Sequence, residues 1–440
     1  MGIVSDLVDI LPAPSPPPPA RARPVGRVRV IGYIIAGLGL FILLAFGLGS
    51  SGNAHSVLTF TPVNTSTNAP WSIGALTVLT RYWNVALGLI AVGIGLDMIV
   101  RRPPKGAMVR FGVGAVLFLF ALLLWAGRSP GPSQVPYVNL TSILIGSSAL
   151  AMVLIYGALS GVMCERAGVV NIAIEGQFIG GAFFGSVIAS TTNNFLLATL
   201  AGAVAGALLG LILAFLSLRY LSDQIIVGVV LVTMMSSLSS YLNLQVLSPY
   251  PNLNTGNLAS NIAIPLLDKI PIIGPVFFNE SGFFYFMIVL VGIISFGLFK
   301  TRWGLRVRAV GEHPKAAESV GINVIRTRYI NVVLGGAIAG VGGVAFMSSQ
   351  GAFQVGYTSG LGYVALAALI FGRWRPSGAV SAAVLFGISA YLALNLQTYN
   401  IPISTEILGM FPYLITIAVV AGLVGRVRPP AADGQPYKRD

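Results

Sequence analysis

Three polar side chains enter an otherwise apolar run at "CERAGVVNIAIEGQFIGG": Asn171, Glu175 and Gln177, with Gly176 beside them. A carboxylate and two amides at this spacing can hydrogen-bond a polar solute, or can satisfy one another and nearby backbone. Ionisable groups inside apolar spans are costly and tend to face a cavity or a partner. Two readings of Glu175 therefore stand open: cavity lining, or an interhelix hydrogen bond to Arg166 or to backbone. A second concentration of chemistry is the stretch "RVRAVGEHPKAAESVGINVIRTRYI", Arg306 to Ile330, in a chain with only 9% charged residues. Bond-breaking machinery is missing. There is no H-E-x-x-H, no G-x-S-x-G elbow and no G-x-x-x-x-G-K-S/T phosphate loop, so this chain is not expected to hydrolyse ATP. His55 and His313 are the only histidines and Cys164 the only cysteine. Neither a multi-histidine metal site, nor a disulfide framework within the chain, nor a cofactor is expected.

The elements that must position these residues are membrane helices. Hydrophobic residues make up 55% of the chain and its mean hydropathy is +0.84. A spanning helix needs about 20 mostly apolar residues. That rule predicts an all-α, polytopic transmembrane bundle of ten to twelve spans, near 31–48, 84–100, 110–126, 140–161, 172–190, 195–217, 224–243, 282–299, 330–347, 359–372, 377–396 and 409–426. The tenth is short enough to be broken or re-entrant. Residues 1–30 are Pro-rich and then basic, and read as a disordered cytoplasmic tail. The net charge of +13 is gathered in short clusters between spans. That is the positive-inside pattern rather than a nucleic-acid footprint, so lipid, not nucleic acid, is the surrounding partner. Counting twelve spans puts both termini, and Cys164 at the mouth of the fourth span, on the cytoplasmic side. Asp97, one turn before Arg101, reads as an i,i+4 ion pair. Gly202, Gly206 and Gly210 recur every four residues, as do Gly336 and Gly340, which predicts close helix packing.

Local signals organise the charged stretch. Pro314 suits a first helical position and Gly321 the residue just past a helix end. A two-turn helix lies between them, whose Ala316 and Ala317 offer a small face able to enter a partner's groove. Asn323 is placed to cap the next helix.

The segments "SGVMCERAGVVNIAIEGQFIGGAFFG", "RVRAVGEHPKAAESVGINVIRTRYINVVLGGAIAGVGGVAF" and "YVALAALIFGRWRPSGAVSAAVLFG" resemble the permease subunits of bacterial ABC importers for nucleosides and simple sugars, of the branched-chain/ribose type. The resemblance covers residues 138–427. It leaves 31–130 as additional spans and 428–440 as a cytoplasmic tail. It implies an inner-membrane permease working by alternating access, with nucleosides preferred over simple sugars as cargo. It also implies a separate ATP-binding subunit, usually of two cassettes, a second homologous permease and an extracytoplasmic lipoprotein that binds the solute. Lys315 to Gly321 resembles the E-A-A-x-x-x-G loop that docks on the ATPase, with Lys315 standing where the wider pattern has Glu. The docking set that follows is Arg308, Gly311, Glu312, His313, Pro314, Lys315, Ala316, Ala317 and Gly321. Asn171, Glu175 and Gln177 are assigned to the solute path. An ion-coupled secondary transporter is the rival reading, and Glu175 is its one good candidate acid.

Overall fold

The computed structural model describes residues 25–61, 74–101, 106–129, 137–255, 261–399, 401, 403–410 and 428–438. The chain divides into two compact units. The first is built on α1 (Val25–Phe41, continued by a π-turn over Ile42–Leu48), α2 (Thr80–Arg101) and α3 (Ala107–Ala126). Helix begins at Val25, inside the segment read as a tail; residues 1–24 lie outside the described residues. Asp97 pairs with Arg101 at 3.3 Å, as its spacing predicts, and also with Arg110 of α3 at 3.3 Å.

The second unit holds α4 (Leu140–Glu165), α5 (Ile174–Thr192), α6 (Phe195–Arg219), α7 (Gln224–Leu242), α8 (Gly282–Lys300) and α9 (Arg302–Glu312). It continues with α10 (Pro314–Ser319), α11 (Val324–Gln350), α12 (Leu361–Phe371), α13 (Pro376–Leu396) and α14 (Thr405–Gly409). Among the described residues, nine helices are long and apolar enough to cross a membrane. The expected spans at 172–190 and 359–372 are α5 and α12, and neither is among the nine. α5 is long enough, but Glu175 and Gln177 in its first turn and the Ser–Thr–Thr at its end lower its apolarity. α12 has 11 residues, about 16 Å at 1.5 Å per residue, and so reaches about halfway through a hydrocarbon core of about 30 Å. Most of the span expected at 409–426 lies outside the described residues.

The described residues are mostly helical, as the all-α expectation has it, and a few short strands form in the connections. β1 (His55–Thr59), β2 (Leu76–Leu79), β3 (Arg128–Ser129) and β4 (Tyr137–Asn139) make a small sheet. β5 (Asn261–Ala263) pairs antiparallel with β6 (Asn279–Ser281). Runs such as His-Ser-Val-Leu-Thr carry the β-branched residues that suit a pleated surface.

α4 and α11 form the centre of the second unit, with 67% and 72% of their apolar windows buried against 28% in α7 and α8. The glycine spacing does what it predicts. α6 and α11 meet backbone to backbone: a side chain at Gly206 would strike the Gly336 carbonyl, and one at Gly210 would lie 2.7 Å from the Val332 carbonyl. In lipid there is no hydrophobic drive between helices, so dispersion over this close seam holds them together.

β6 carries a pH-dependent contact. Glu280 is buried and accepts a hydrogen bond from the Ser148 hydroxyl of α4 at 2.6 Å. Burial pushes its carboxyl up to about 7, against the lowering pull of the Ser148 bond. Its packed state therefore binds a proton more tightly than an exposed carboxylate, so the packing is strongest below the ordinary carboxylate range and weakens as pH rises through about 7. Hydrogen exchange at Ile262 and Ala263 should accelerate between pH 6 and 8 beyond the intrinsic base-catalysed rise, and Glu280→Gln should remove the excess. An excess that survives the substitution would assign the effect to another group.

Candidate functional site

Glu175 resolves toward the backbone. It stands in the first turn of α5, is buried, and binds the start of α12. One carboxylate oxygen accepts from the Thr358 hydroxyl at 2.6 Å and from the Gly360 N–H at 3.0 Å; the other accepts from the Gly362 N–H at 2.6 Å. A helix whose start is buried leaves orphan N–H groups with no water to satisfy them. Gly360, at the N-cap with φ 87°, has no side chain to do this, so Glu175 supplies the cap from a neighbouring helix and places a negative charge at the positive end of the α12 dipole. Gly362 allows the approach, since a Cβ there would sit 2.7 Å from the Glu175 Cα.

Asn171 and Gln177 form a closed set rather than a path lining. Both are fully buried. The Asn171 amide donates to Ser160 Oγ at 3.1 Å and to the Gln177 carbonyl at 3.0 Å, and Gln177 returns a bond to Asn171 at 3.3 Å. Together they tie the α4–α5 turn to α4. Cys164 is likewise fully buried, with Sγ 3.9 Å from the Asn331 carbonyl, so it is inaccessible as a marker of sidedness.

The cavity lies one layer away, on the other side of Thr358. It encloses about 440 Å³ between the ends of α11 and α13 and the start of α12, with Phe346, Gln350, Tyr357, Thr358, Ser359 and Gln397 on its wall. Volumes of about 300–1,000 Å³ are usual for small-molecule sites. Tyr357 stacks on Phe346 with ring centroids 4.8 Å apart and planes at 23°. Its hydroxyl is buried and lacks a hydrogen-bond partner. Among the described residues, none on the wall is charged. Such a wall offers amides, hydroxyls and an aromatic face to an uncharged polar solute. Sequence reading missed these residues, although the dense Gly and Ser of "SSQGAFQVGYTSGLG" marks the break that exposes them. Two larger cavities are chemically different. One of about 600 Å³ is walled by apolar side chains such as Phe286, Leu290 and Ile294, and one of about 960 Å³ beside the charged loop is ringed by Arg302, Arg306 and Arg326.

At the opposite end of α11 lies the charged loop. α9 runs to Glu312, His313 breaks the helix, and Pro314 begins α10 as its type predicts. Gly321 has φ +83°, the left-handed region that glycine tolerates. The Asn323 side chain caps α11, accepting from the Arg326 N–H at 2.9 Å. Arg308 lies with its guanidinium 5.2 Å from the Phe299 ring centroid, and Gly311 packs against the Arg166 carbonyl, where a side chain would clash. His313, Lys315 and Ala316 are exposed. The expected outward Ala pair is corrected at Ala317, which is 3% exposed and packs with Val310, Val324 and Tyr437. The outward face of α10 is Lys315, Ala316 and Ser319, continued by Val320, 74% exposed.

Residues 143–420 match the family model described as the permease component of the branched-chain amino acid transport system. The chain is 37% identical over 313 residues to the nucleoside ABC transporter permease protein NupC of Lactococcus lactis, covering 68% of this chain and 98% of the relative. It is 38% identical over 316 residues to the guanosine ABC transporter permease protein NupQ of Bacillus subtilis, with the same two coverages. The putative glucose ABC transporter permease protein TsgC13 of Haloferax volcanii is 30% identical over 318 residues, 66% of this chain and 95% of the relative. No solved structure matches. The first unit's helices α1 to α3 precede the matched region.

Proposed function

The chain belongs to the family of permease components of branched-chain amino acid transport systems, and from that premise we propose that it carries nucleosides across the cytoplasmic membrane through the cavity at the α12 break. It is a multi-pass membrane permease of an ABC transporter, a kind of subunit that works with an ATPase and a substrate-binding protein. Its second permease, a two-cassette ATPase and a lipoprotein receptor are parts of the proposal. So is the orientation, with α10 and both termini in the cytoplasm and the cavity toward the receptor.

One observation carries the choice of solute: the wall of described residues, uncharged, that holds the Tyr357–Phe346 stack together with Gln350 and Gln397. A planar base with hydrogen-bonding edges matches an aromatic face flanked by amides, and a charged solute would find no counter-ion there. The nucleoside and guanosine permeases among the relatives support the same class. Simple sugars are the alternative, favoured by the more distant glucose permease.

The test is import in vesicles holding the full transporter, with labelled guanosine, adenosine, ribose and glucose. Base–aromatic stacking is worth about 1–3 kcal/mol per base. Tyr357→Ala should therefore slow nucleoside import by roughly 5- to 150-fold, while Tyr357→Phe retains most of it and the ATPase stays bound. Sugar import surpassing nucleoside import in the wild type would reverse the assignment. Collapse of the proton gradient should leave import intact while ATP lasts; import that stops would favour ion coupling.

A further inference from the structure

Within the expected tail 428–440, residues 428–438 lie along the base of the bundle, anchored by the buried Pro430, Ala432 and Tyr437. Ala432 donates its N–H to the Gly311 carbonyl at 2.9 Å, and Ala431 donates to the Glu312 carboxylate at 3.2 Å. Tyr437 is buried beneath α10 against Val310, Ala317 and Val324, with its hydroxyl on the Glu318 carboxylate. Arg328 of α11, fully buried, donates to the Gln435 carbonyl at 3.1 Å and to the Ala432 carbonyl at 3.5 Å, and its guanidinium lies 5.8 Å from the Tyr437 ring centroid. Burying a guanidinium is costly unless its donors find acceptors. Here the segment's carbonyls take the two terminal nitrogens, while Nε is buried without a partner among the described residues, so what acceptors Arg328 has there come from the segment.

The segment's other side reaches α4. Glu165 ends α4, and a Cβ on Gly168, three residues further on, would lie 3.1 Å from the Ala432 carbonyl. Glu165 accepts the indole N–H of Trp374, in the turn between α12 and α13. Arg373 and Trp374 hold left-handed φ values of 55° and 53°. Arg166 holds the same turn, donating to the Trp374 carbonyl at 2.8 Å and to the Arg373 carbonyl at 3.3 Å. One contiguous set of contacts thus runs from α10, through the segment, to α4 and to the turn joining the two helices whose far ends wall the cavity.

We propose that residues 428–438 form part of the ATPase-docking surface: a strap on which the coupling helix α10 sits, and through which its displacement reaches α4 and the α12–α13 turn. This rests on the permease reading above. The six residues of α10 make too short a helix to hold their own position, and Ala317 is buried in one cluster with Val310, Val324 and Tyr437. The strap supplies the fixed base, and Arg328 ties that base to α11. Tyr437 acts through α10, so it is a positioning residue.

The experiment uses the complete transporter with its ATPase and receptor, and reads solute imported per ATP hydrolysed together with ATPase retention. Tyr437→Ala should leave the ATPase bound and hydrolysing, and lower import per ATP at least 10-fold. Tyr437→Phe, which keeps the packing, should retain at least half. A Tyr437→Ala complex with the wild-type ratio overturns the proposal. Hydrogen exchange on the wild-type chain gives a check that needs no variant: adding the ATPase should slow exchange at Ala432 and Ile322 at least 5-fold, and unchanged exchange at Ala432 overturns the strap. A wild-type complex that neither holds an ATPase nor imports would instead overturn the permease reading itself, and the strap's role with it.

Discussion

Ala316→Arg is expected to abolish import while leaving the chain in the membrane. Ala316 lies on the outward side of α10 and Val320 just past its end, and both are exposed. Arginine at Ala316 places a long charged side chain where a partner's groove must close around a methyl group. Losses at the centre of an interface reach 2 kcal/mol or more, roughly 30-fold in affinity. The transmembrane helices are untouched, so insertion should be normal. Co-purification in mild detergent and import in vesicles check both halves. Ala317→Arg should behave differently, because it drives a charge into the cluster with Val310, Val324 and Tyr437 and lifts the strap; its loss should come with a chain that is itself less stable. Gly321→Val should act more mildly, through roughly 1–2 kcal/mol of left-handed backbone strain. Wild-type import by the Ala316→Arg chain, with its ATPase bound, would remove α10 from the docking surface.

Glu175→Gln is the second large effect. The carboxylate accepts three hydrogen bonds, all from donors, and its two oxygens share the work. A glutamine has one acceptor oxygen, and its NH2 must point at a donor. At least one buried N–H or hydroxyl is left unsatisfied, costing about 1–3 kcal/mol. The charge at the α12 dipole is lost as well, worth about 0.3–1 kcal/mol. The total of roughly 1–4 kcal/mol falls on a short helix that forms one wall of the cavity. We expect a lower melting temperature in detergent and an import rate at least 10-fold down, with the same deficit whether or not a proton gradient is present. Import that stays at the wild-type rate would mean that α12 holds its place without the cap.

The helix α10 was legible because its signals are local. Pro314, Gly321 and Asn323 each act on the backbone within a few residues, so spacing alone predicts the start, the end and the next cap. The α6–α11 seam was legible for a related reason: a period of four along one helix implies a groove whatever fills it. The inward turn of Ala317 was not. On a two-turn helix either alanine can face in, and the one that does shares a cluster with Tyr437, 120 residues further on. Glu175 was conspicuous as a buried acid, but its partners are mostly backbone N–H groups, which no residue type announces. The strap was hidden by composition, since Pro429, Pro430, Gly434 and Pro436 read as coil. Its order comes from Arg328, whose need for acceptors is visible only once its burial is known.

The glycine seam also has a mechanical meaning. Between helices padded by long side chains, small rotamer changes absorb a push. α6 and α11 have no such padding along their shared edge, and close-packed backbone is poorly compressible. They must move as one stiff body. α11 is 27 residues long, about 40 Å, with its foot beside α10 and its head at Phe346 and Gln350. A tilt imposed at the foot therefore arrives at the cavity undiminished, and compliance is left to the seams where large side chains interleave.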